Sequence, residues 1–191
     1  MILIAKPSKP SLITYFGIIS SVVGFYFAFS DVKLATVCLF VCAIFDFFDG
    51  RFARTFKRSE DEKKFGIIID SLADVLAFVA LPCAILFAIC GNYIFAIIIA
   101  ILYALCGITR LTVFTAEADP NKKTKYYRGL PITVAGFLIP IIYLVFNLLA
   151  SRLICCVLCV TYVILAILFV LNIRTQTSHH KSSKQSSVNR H

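Results

Sequence analysis

Charged side chains are scarce in this sequence. Of its 191 residues 15% are Asp, Glu, Lys or Arg, while 60% are hydrophobic. A soluble domain carries about 25% charged residues, and the mean hydropathy here is +0.89. There are too few polar side chains to cover a water-soluble globule. Disordered, collagen-like, coiled-coil and secreted disulfide-scaffold classes are excluded with it. Period-2 alternation is missing from the apolar stretches, which argues against a transmembrane β-barrel. No internal repeat is visible, and an inverted-repeat transporter would usually show one. Histidine is absent before His179 and otherwise occurs only at His180 and His191, so none is expected in a buried site. Acids are absent from the last 18 residues, Arg174 to His191, whose Ser, Lys and His content reads as a disordered basic tail.

What is present is a series of long apolar runs. A spanning helix needs about 20 apolar residues. Six runs qualify, at residues 12–29, 34–54, 66–89, 93–115, 131–149 and 153–172. The sequence therefore predicts an all-α integral membrane protein with six transmembrane helices. A single transmembrane domain takes up residues 1–173, followed by the 174–191 tail. The first run is too long for a signal peptide, and its flank lacks a small-residue cleavage site. The prolines of Lys6-Pro7-Ser8-Lys9-Pro10 exclude a helix interior, so the first helix should start near Ser11.

The net charge of +9 raises the question of nucleic acid, and the placement of the charge answers it. In a six-helix zigzag only Lys33 and Arg152 fall on the outer side. Apart from Arg110, within the fourth run, the other bases flank the inner side. That bias predicts cytoplasmic termini, with basic loops that touch anionic lipid and no nucleic-acid partner. All eight cysteines lie in or beside apolar runs, where Cys behaves as a small hydrophobe. The pair Cys156 and Cys159 has redox-motif spacing but sits in a spanning helix without a partner pair.

The informative residues are four acids. Asp46, Asp49, Asp70 and Asp74 fall in the second and third spans. A carboxylate at membrane depth costs about 2.5–3.5 kcal/mol, so four cost on the order of 10 kcal/mol, comparable with a domain's whole stability. Asp46, Asp49, Gly50 and Ala53 are spaced to share one helix face, as are Gly66, Asp70, Ala73 and Ala77. Two adjacent antiparallel helices can thus aim their carboxylates at each other, with small residues leaving room between them. Oxygen-only ligation suits Mg²⁺, Mn²⁺ or Ca²⁺. The same spacing also fits proton-relay or ion-pair carboxylates in a carrier, and spacing alone leaves both readings open.

The segment Asp46-Phe-Phe-Asp49-Gly50-Arg-Phe-Ala53-Arg54, followed by Gly66-x-x-x-Asp70-x-x-x-Asp74, resembles the signature of the CDP-alcohol phosphatidyltransferase family at eight fixed positions. Between Arg54 and Gly66 lie 11 residues, more than is usual, and Lys57 to Lys64 are expected to form a looser loop at the inner surface. The resemblance implies a membrane-bound homodimer with its active site at the cytoplasmic face. It implies that Asp46, Asp49, Asp70 and Asp74 hold a pair of divalent ions, Mg²⁺ or Mn²⁺, with Asp74 as the catalytic base. It implies that Asp49, Gly50, Ala53, Arg54 and Gly66 bind the CDP-linked lipid.

Asp70-Ser71-Leu-Ala-Asp74-Val75, with Phe78 and Pro82 beyond it, resembles the phosphatidylserine synthase branch of that family. So do Gly107-Ile-Thr-Arg110-Leu-Thr-Val-Phe114 and Tyr127-Arg128-Gly129-Leu130-Pro131. This resemblance implies transfer of a phosphatidyl group from CDP-diacylglycerol to L-serine in phospholipid biosynthesis, with Arg110 and Arg128 at the acceptor. Another acceptor alcohol (glycerol phosphate, inositol phosphate), an ether-lipid donor, or a cation- or proton-coupled carrier are the competing readings. An arginine inside an apolar span needs an anionic partner, and for Arg110 that is a serine carboxylate, a phosphate or one of the aspartates.

Overall fold

The computed structural model describes residues 11–52, 59–91, 93–117, 126–128, 130–149, 153–171 and 174–176. The described residues form six helical rods. These are α1 (Ser11–Ala28), α2 (Val32–Phe52), a long continuous rod, α5 (Ile94–Glu117), α6 (Thr133–Leu148) and α7 (Ile154–Val170). The continuous rod joins α3 (Glu60–Asp74), a π-helical segment (Val75–Ala80) and α4 (Leu81–Cys90). Each apolar run of the sequence is thus a helix, and α1 begins at Ser11, where the prolines end.

Local chemistry sets the helix ends. The Asp31 carboxylate accepts hydrogen bonds from the backbone N–H groups of Lys33 and Leu34, which starts α2 after a tight turn. Gly91, at φ 65°, closes α4 and donates its N–H to the Phe87 carbonyl. The start of α3 corrects the expectation of a loop across Lys57 to Lys64 from residue 59 onward, and residues 57 and 58 lie outside the described residues. Ser59 and Glu62 form a reciprocal capping box, and Glu60, Asp61 and Glu62 sit at the positive end of the helix dipole. Residues 60–64 are therefore the first turn of α3.

Close contacts between rods rest on small residues. On α1, Gly17, Ser21 and Gly24 share a face toward α2. The Ser21 hydroxyl donates to the Gly17 carbonyl and meets the Cys42 sulfur, and the Ser20 hydroxyl donates to the Cys38 carbonyl. A Cβ on Gly24 would lie 2.8 Å from Leu81, and one on Gly136 of α6 would lie 2.6 Å from the Phe78 ring and 2.8 Å from Ala43. Such contacts let backbones approach where both sides are apolar.

The outer surface carries many large apolar side chains. Along α5, Ile94, Ile98, Ile101 and Leu105 are exposed at helical spacing, and every other rod also exposes large hydrophobic side chains. Among the described residues, Glu60–Cys90 and Ile94–Ala116 are long and apolar enough to cross a membrane. This is the surface expected of a membrane protein.

Two further features depart from expectation. Arg174–Gln176, placed by the sequence at the start of a disordered tail, pairs antiparallel with Tyr126–Arg128, Arg128 opposite Arg174. These two strands, β1 and β2, qualify the all-α reading; residues 177–191, with all three histidines, lie outside the described residues. The cysteines, read as small hydrophobes, include a bridged pair. A disulfide joins Cys90 at the end of α4 to Cys155 in the first turn of α7, and the Cys159 sulfur lies 3.9 Å from that of Cys90. The redox-spaced Cys156 is exposed and outside this cluster.

Candidate functional site

Three of the four signature aspartates meet in the structure. Asp46 from α2 and Asp70 and Asp74 from α3 line one cavity of about 20 Å³, with Ala73 and Ala77 beside them. The Asp46 carboxyl group is hydrogen-bonded to Asp74 and lies within electrostatic reach of Asp70. Asp70 and Asp74 are one helical turn apart, and Ala73 and Ala77 keep the intervening wall low. All three aspartates are half-buried.

The far wall of the cavity comes from α1. Thr14 and Gly17 line it, and the nearest atom to a Cβ built on Gly17 is the Phe45 Cβ at 4.0 Å. Sequence reasoning missed this helix. The available signal was the Gly17, Ser21, Gly24 spacing, which marks a face for close packing but not what it packs around.

The cluster fits a divalent cation. Its described donors are carboxylate oxygens, the ligand type of Mg²⁺, Mn²⁺ and Ca²⁺, and a cavity of this size holds about one small ion or water. With all three ionised, carboxylates this close would repel one another in a low-dielectric surrounding, and an ion between them would remove that cost. Asp49 and Gly50 lie one turn further along α2, a placement that concerns their backbone alone. Gly66 is half-buried in α3, one turn before Asp70. Ala53 and Arg54, named by the signature for the CDP-linked lipid, fall outside the described residues.

Arg110 has partners that its surroundings in the sequence did not reveal. Its Nε donates to the Leu130 carbonyl at 2.8 Å, its guanidinium stacks 5.3 Å from the Phe114 ring centre, and it lies within electrostatic reach of Asp74. The first contact ties the end of α5 to the Leu130-Pro131 turn that leads into α6, and the second is a cation–π contact. The helix carrying Asp70 and Asp74 is tied to α5 as well, since the Ser71 and Thr115 hydroxyls lie 2.6 Å apart. Arg128 is placed only as a backbone position in β1.

Comparison with known proteins bears on the family of the chain. The family model for CDP-alcohol phosphatidyltransferase matches residues 8–178. The chain is 39% identical over 94 residues to a CDP-diacylglycerol–serine O-phosphatidyltransferase of Saccharomyces cerevisiae, which covers 46% of this chain and 33% of the yeast protein. It is 31% identical over 146 residues to an archaetidylserine synthase of Methanothermobacter thermautotrophicus, covering 74% of this chain and 58% of the relative. A CDP-diacylglycerol–serine O-phosphatidyltransferase of Bacillus subtilis is 27% identical over 141 residues, 72% of this chain and 76% of that protein. The chain thus spans about a third of the yeast relative and somewhat over half of the archaeal one. The family match runs from the first helix past the last and takes in the whole aspartate cluster, and the chain belongs to the CDP-alcohol phosphatidyltransferase family.

Proposed function

We propose that this chain is a six-span membrane enzyme that transfers a phosphatidyl group from CDP-diacylglycerol to the hydroxyl of L-serine, giving phosphatidylserine and CMP. The observation that carries the proposal is the meeting of Asp46, Asp70 and Asp74 around one small cavity inside an apolar bundle. Divalent ions, Mg²⁺ or Mn²⁺, held there and by Asp49, would neutralise the pyrophosphate and the charge developing on CMP.

The rest of the chemistry belongs to the chain. The serine hydroxyl attacks the lipid-side phosphorus. A new P–O bond forms, the bond to CMP breaks, and Asp74 takes the hydroxyl proton. Gly50, Ala53, Arg54 and Gly66 form the surface for the CDP moiety, where an arginine can fork onto a phosphate oxygen. Arg110 receives the serine carboxylate, with Arg128 beside it. Its Nε donates to the Leu130 carbonyl, which fixes the orientation of the guanidinium. The names of the three relatives support serine: two are serine O-phosphatidyltransferases and the third is an archaetidylserine synthase.

The site faces the cytoplasm, as do both termini and the basic tail. Two observations support this orientation. Basic residues concentrate on the connections at the aspartate end. The Cys90–Cys155 bridge lies at the opposite end, and disulfides persist in oxidising compartments. Residues 1–173 act as one domain, and the working unit is a homodimer.

The test is purified protein with CDP-diacylglycerol, Mg²⁺ or Mn²⁺, and a panel of alcohols, followed by CMP release. Serine should support release. Release with glycerol phosphate but not serine would overturn the acceptor. Cysteine-accessibility labelling should place residue 120 and the tail on the same side.

A further inference from the structure

The helix that carries Asp70 and Asp74 does not continue as a regular α-helix. In an α-helix the carbonyl of residue i accepts from the N–H of residue i+4. For Phe78 that donor would be residue 82, a proline, which has no N–H and whose ring presses against the same carbonyl. The chain widens here into the π-helical segment Val75–Ala80, and the Leu81 N–H reaches back five residues to the Leu76 carbonyl.

Two tyrosines from other helices attend to this stretch. The Tyr103 hydroxyl of α5 donates to the Phe78 carbonyl at 2.6 Å, and the Tyr162 hydroxyl of α7 donates to the Pro82 carbonyl at 2.7 Å. Both tyrosines are fully buried, and their ring centres lie 4.9 Å apart. The Phe78 ring is confined from the other side by Gly136 of α6, against which it packs without room for a methyl group. The segment so held begins directly after Asp74, and its Ala77 lines the aspartate cavity. A π turn alters the rotation of the helix before it relative to the helix after it, and such turns are frequent at functional sites.

We propose that Tyr103 and Tyr162 are positioning residues for the aspartate site: their hydroxyls hold the carbonyls around Pro82 and thereby fix the turn that aims Asp70 and Asp74 at Asp46. The proposal rests on the metal-binding reading of those aspartates. A phenylalanine at either position would fill the same apolar space, so the hydroxyls contribute direction rather than packing. A buried tyrosine hydroxyl needs a partner in any case. What separates positioning from mere satisfaction is whether its removal is felt at the aspartates.

The experiment uses the purified full chain with Tyr103→Phe, Tyr162→Phe, and Tyr26→Phe as an exposed control. Mn²⁺ alone is titrated and the free ion read by electron paramagnetic resonance, alongside kcat and KM for CMP release and thermal unfolding. Loss of an outer partner of a metal site typically costs 10–100-fold in affinity or activity. Tyr103→Phe should lower Mn²⁺ affinity or kcat by about that factor while the KM for serine holds, and Tyr162→Phe should do so more weakly. Normal Mn²⁺ affinity and normal kcat in both variants would overturn the clamp. So would losses confined to the melting temperature. Replacing each tyrosine separately leaves one readable variant if the other misfolds. If the wild-type chain and Asp70→Asn bound equally little Mn²⁺, the aspartate reading itself would fall, and the clamp with it.

Discussion

Gly136→Ala adds one methyl group at a place with no room for it. The new Cβ would lie 2.6 Å from the Phe78 ring and 2.8 Å from the Ala43 Cβ. Neither neighbour can yield cheaply. Phe78 is 1% exposed and its carbonyl is held by Tyr103. Ala43 is fully buried on α2, three residues before Asp46. The methyl group therefore pushes on the two elements that carry the aspartates. Gly17→Ala is the matched control, because its nearest contact would be ordinary, 4.0 Å from Phe45. The intrinsic preference of a helix for alanine over glycine enters both substitutions and cancels, leaving the packing term. Overpacking of this kind costs typically 1–3 kcal/mol, and contacts this far inside normal separation belong near the upper value. At roughly 2–4 °C per kcal/mol for a chain of this size, Gly136→Ala should melt about 6–12 °C below Gly17→Ala in the same detergent. A difference within about 2 °C would refute the reasoning, because it would mean that α6 moves away from α2 and Phe78 at little cost.

Chelation with EDTA should abolish CMP release, and Mg²⁺ or Mn²⁺ should restore it; Asp46→Asn and Asp70→Asn should each lower it at least about 100-fold, since loss of a ligand should exceed the outer-partner effect. Full activity in chelator would revive the proton-relay reading. Asp74→Asn should keep Mn²⁺ binding and lose turnover, and normal turnover would remove Asp74 as the base. Arg110→Lys keeps the charge but loses both the fork and the Nε bond to Leu130, so the KM for serine should rise more than that for CDP-diacylglycerol. A KM change for the lipid alone would assign Arg110 to the phosphate. Alkylation of the denatured, unreduced chain should modify six cysteines and spare Cys90 and Cys155; eight modified cysteines would exclude the bridge.

Much of this architecture is written locally in the chain. The lengths of the apolar runs specified the rods, because burying backbone polar groups in an apolar phase leaves little besides a helix. The spacings of Asp46 and Asp49 and of Asp70 and Asp74 placed each pair on one helix, because residues three or four apart share a face whatever the neighbours do. The capping box at Ser59 and Glu62 was equally local: its Ser-x-x-Glu pattern was present in the sequence, and the charged residues around it invited a loop reading instead.

The remainder depended on which helix lies against which. Pro82 announces in the sequence that a carbonyl loses its donor, but that Tyr103, 25 residues beyond Phe78, replaces it follows only from the packing of α5 on the π-helical segment. Thr14 and Gly17 wall the aspartate cavity because α1 packs beside α2 and α3, and a stripe of small residues would serve lipid or a second helix equally well. Cys90 and Cys155, 65 residues apart, meet because α4 and α7 bring their ends together. Arg110 finds the Leu130 carbonyl across a connection that no periodicity describes. Helix identity follows from hydrogen bonds within one segment. Contacts between helices in an apolar phase are decided by shape and by a few polar groups, and one-dimensional spacing does not encode which shapes meet.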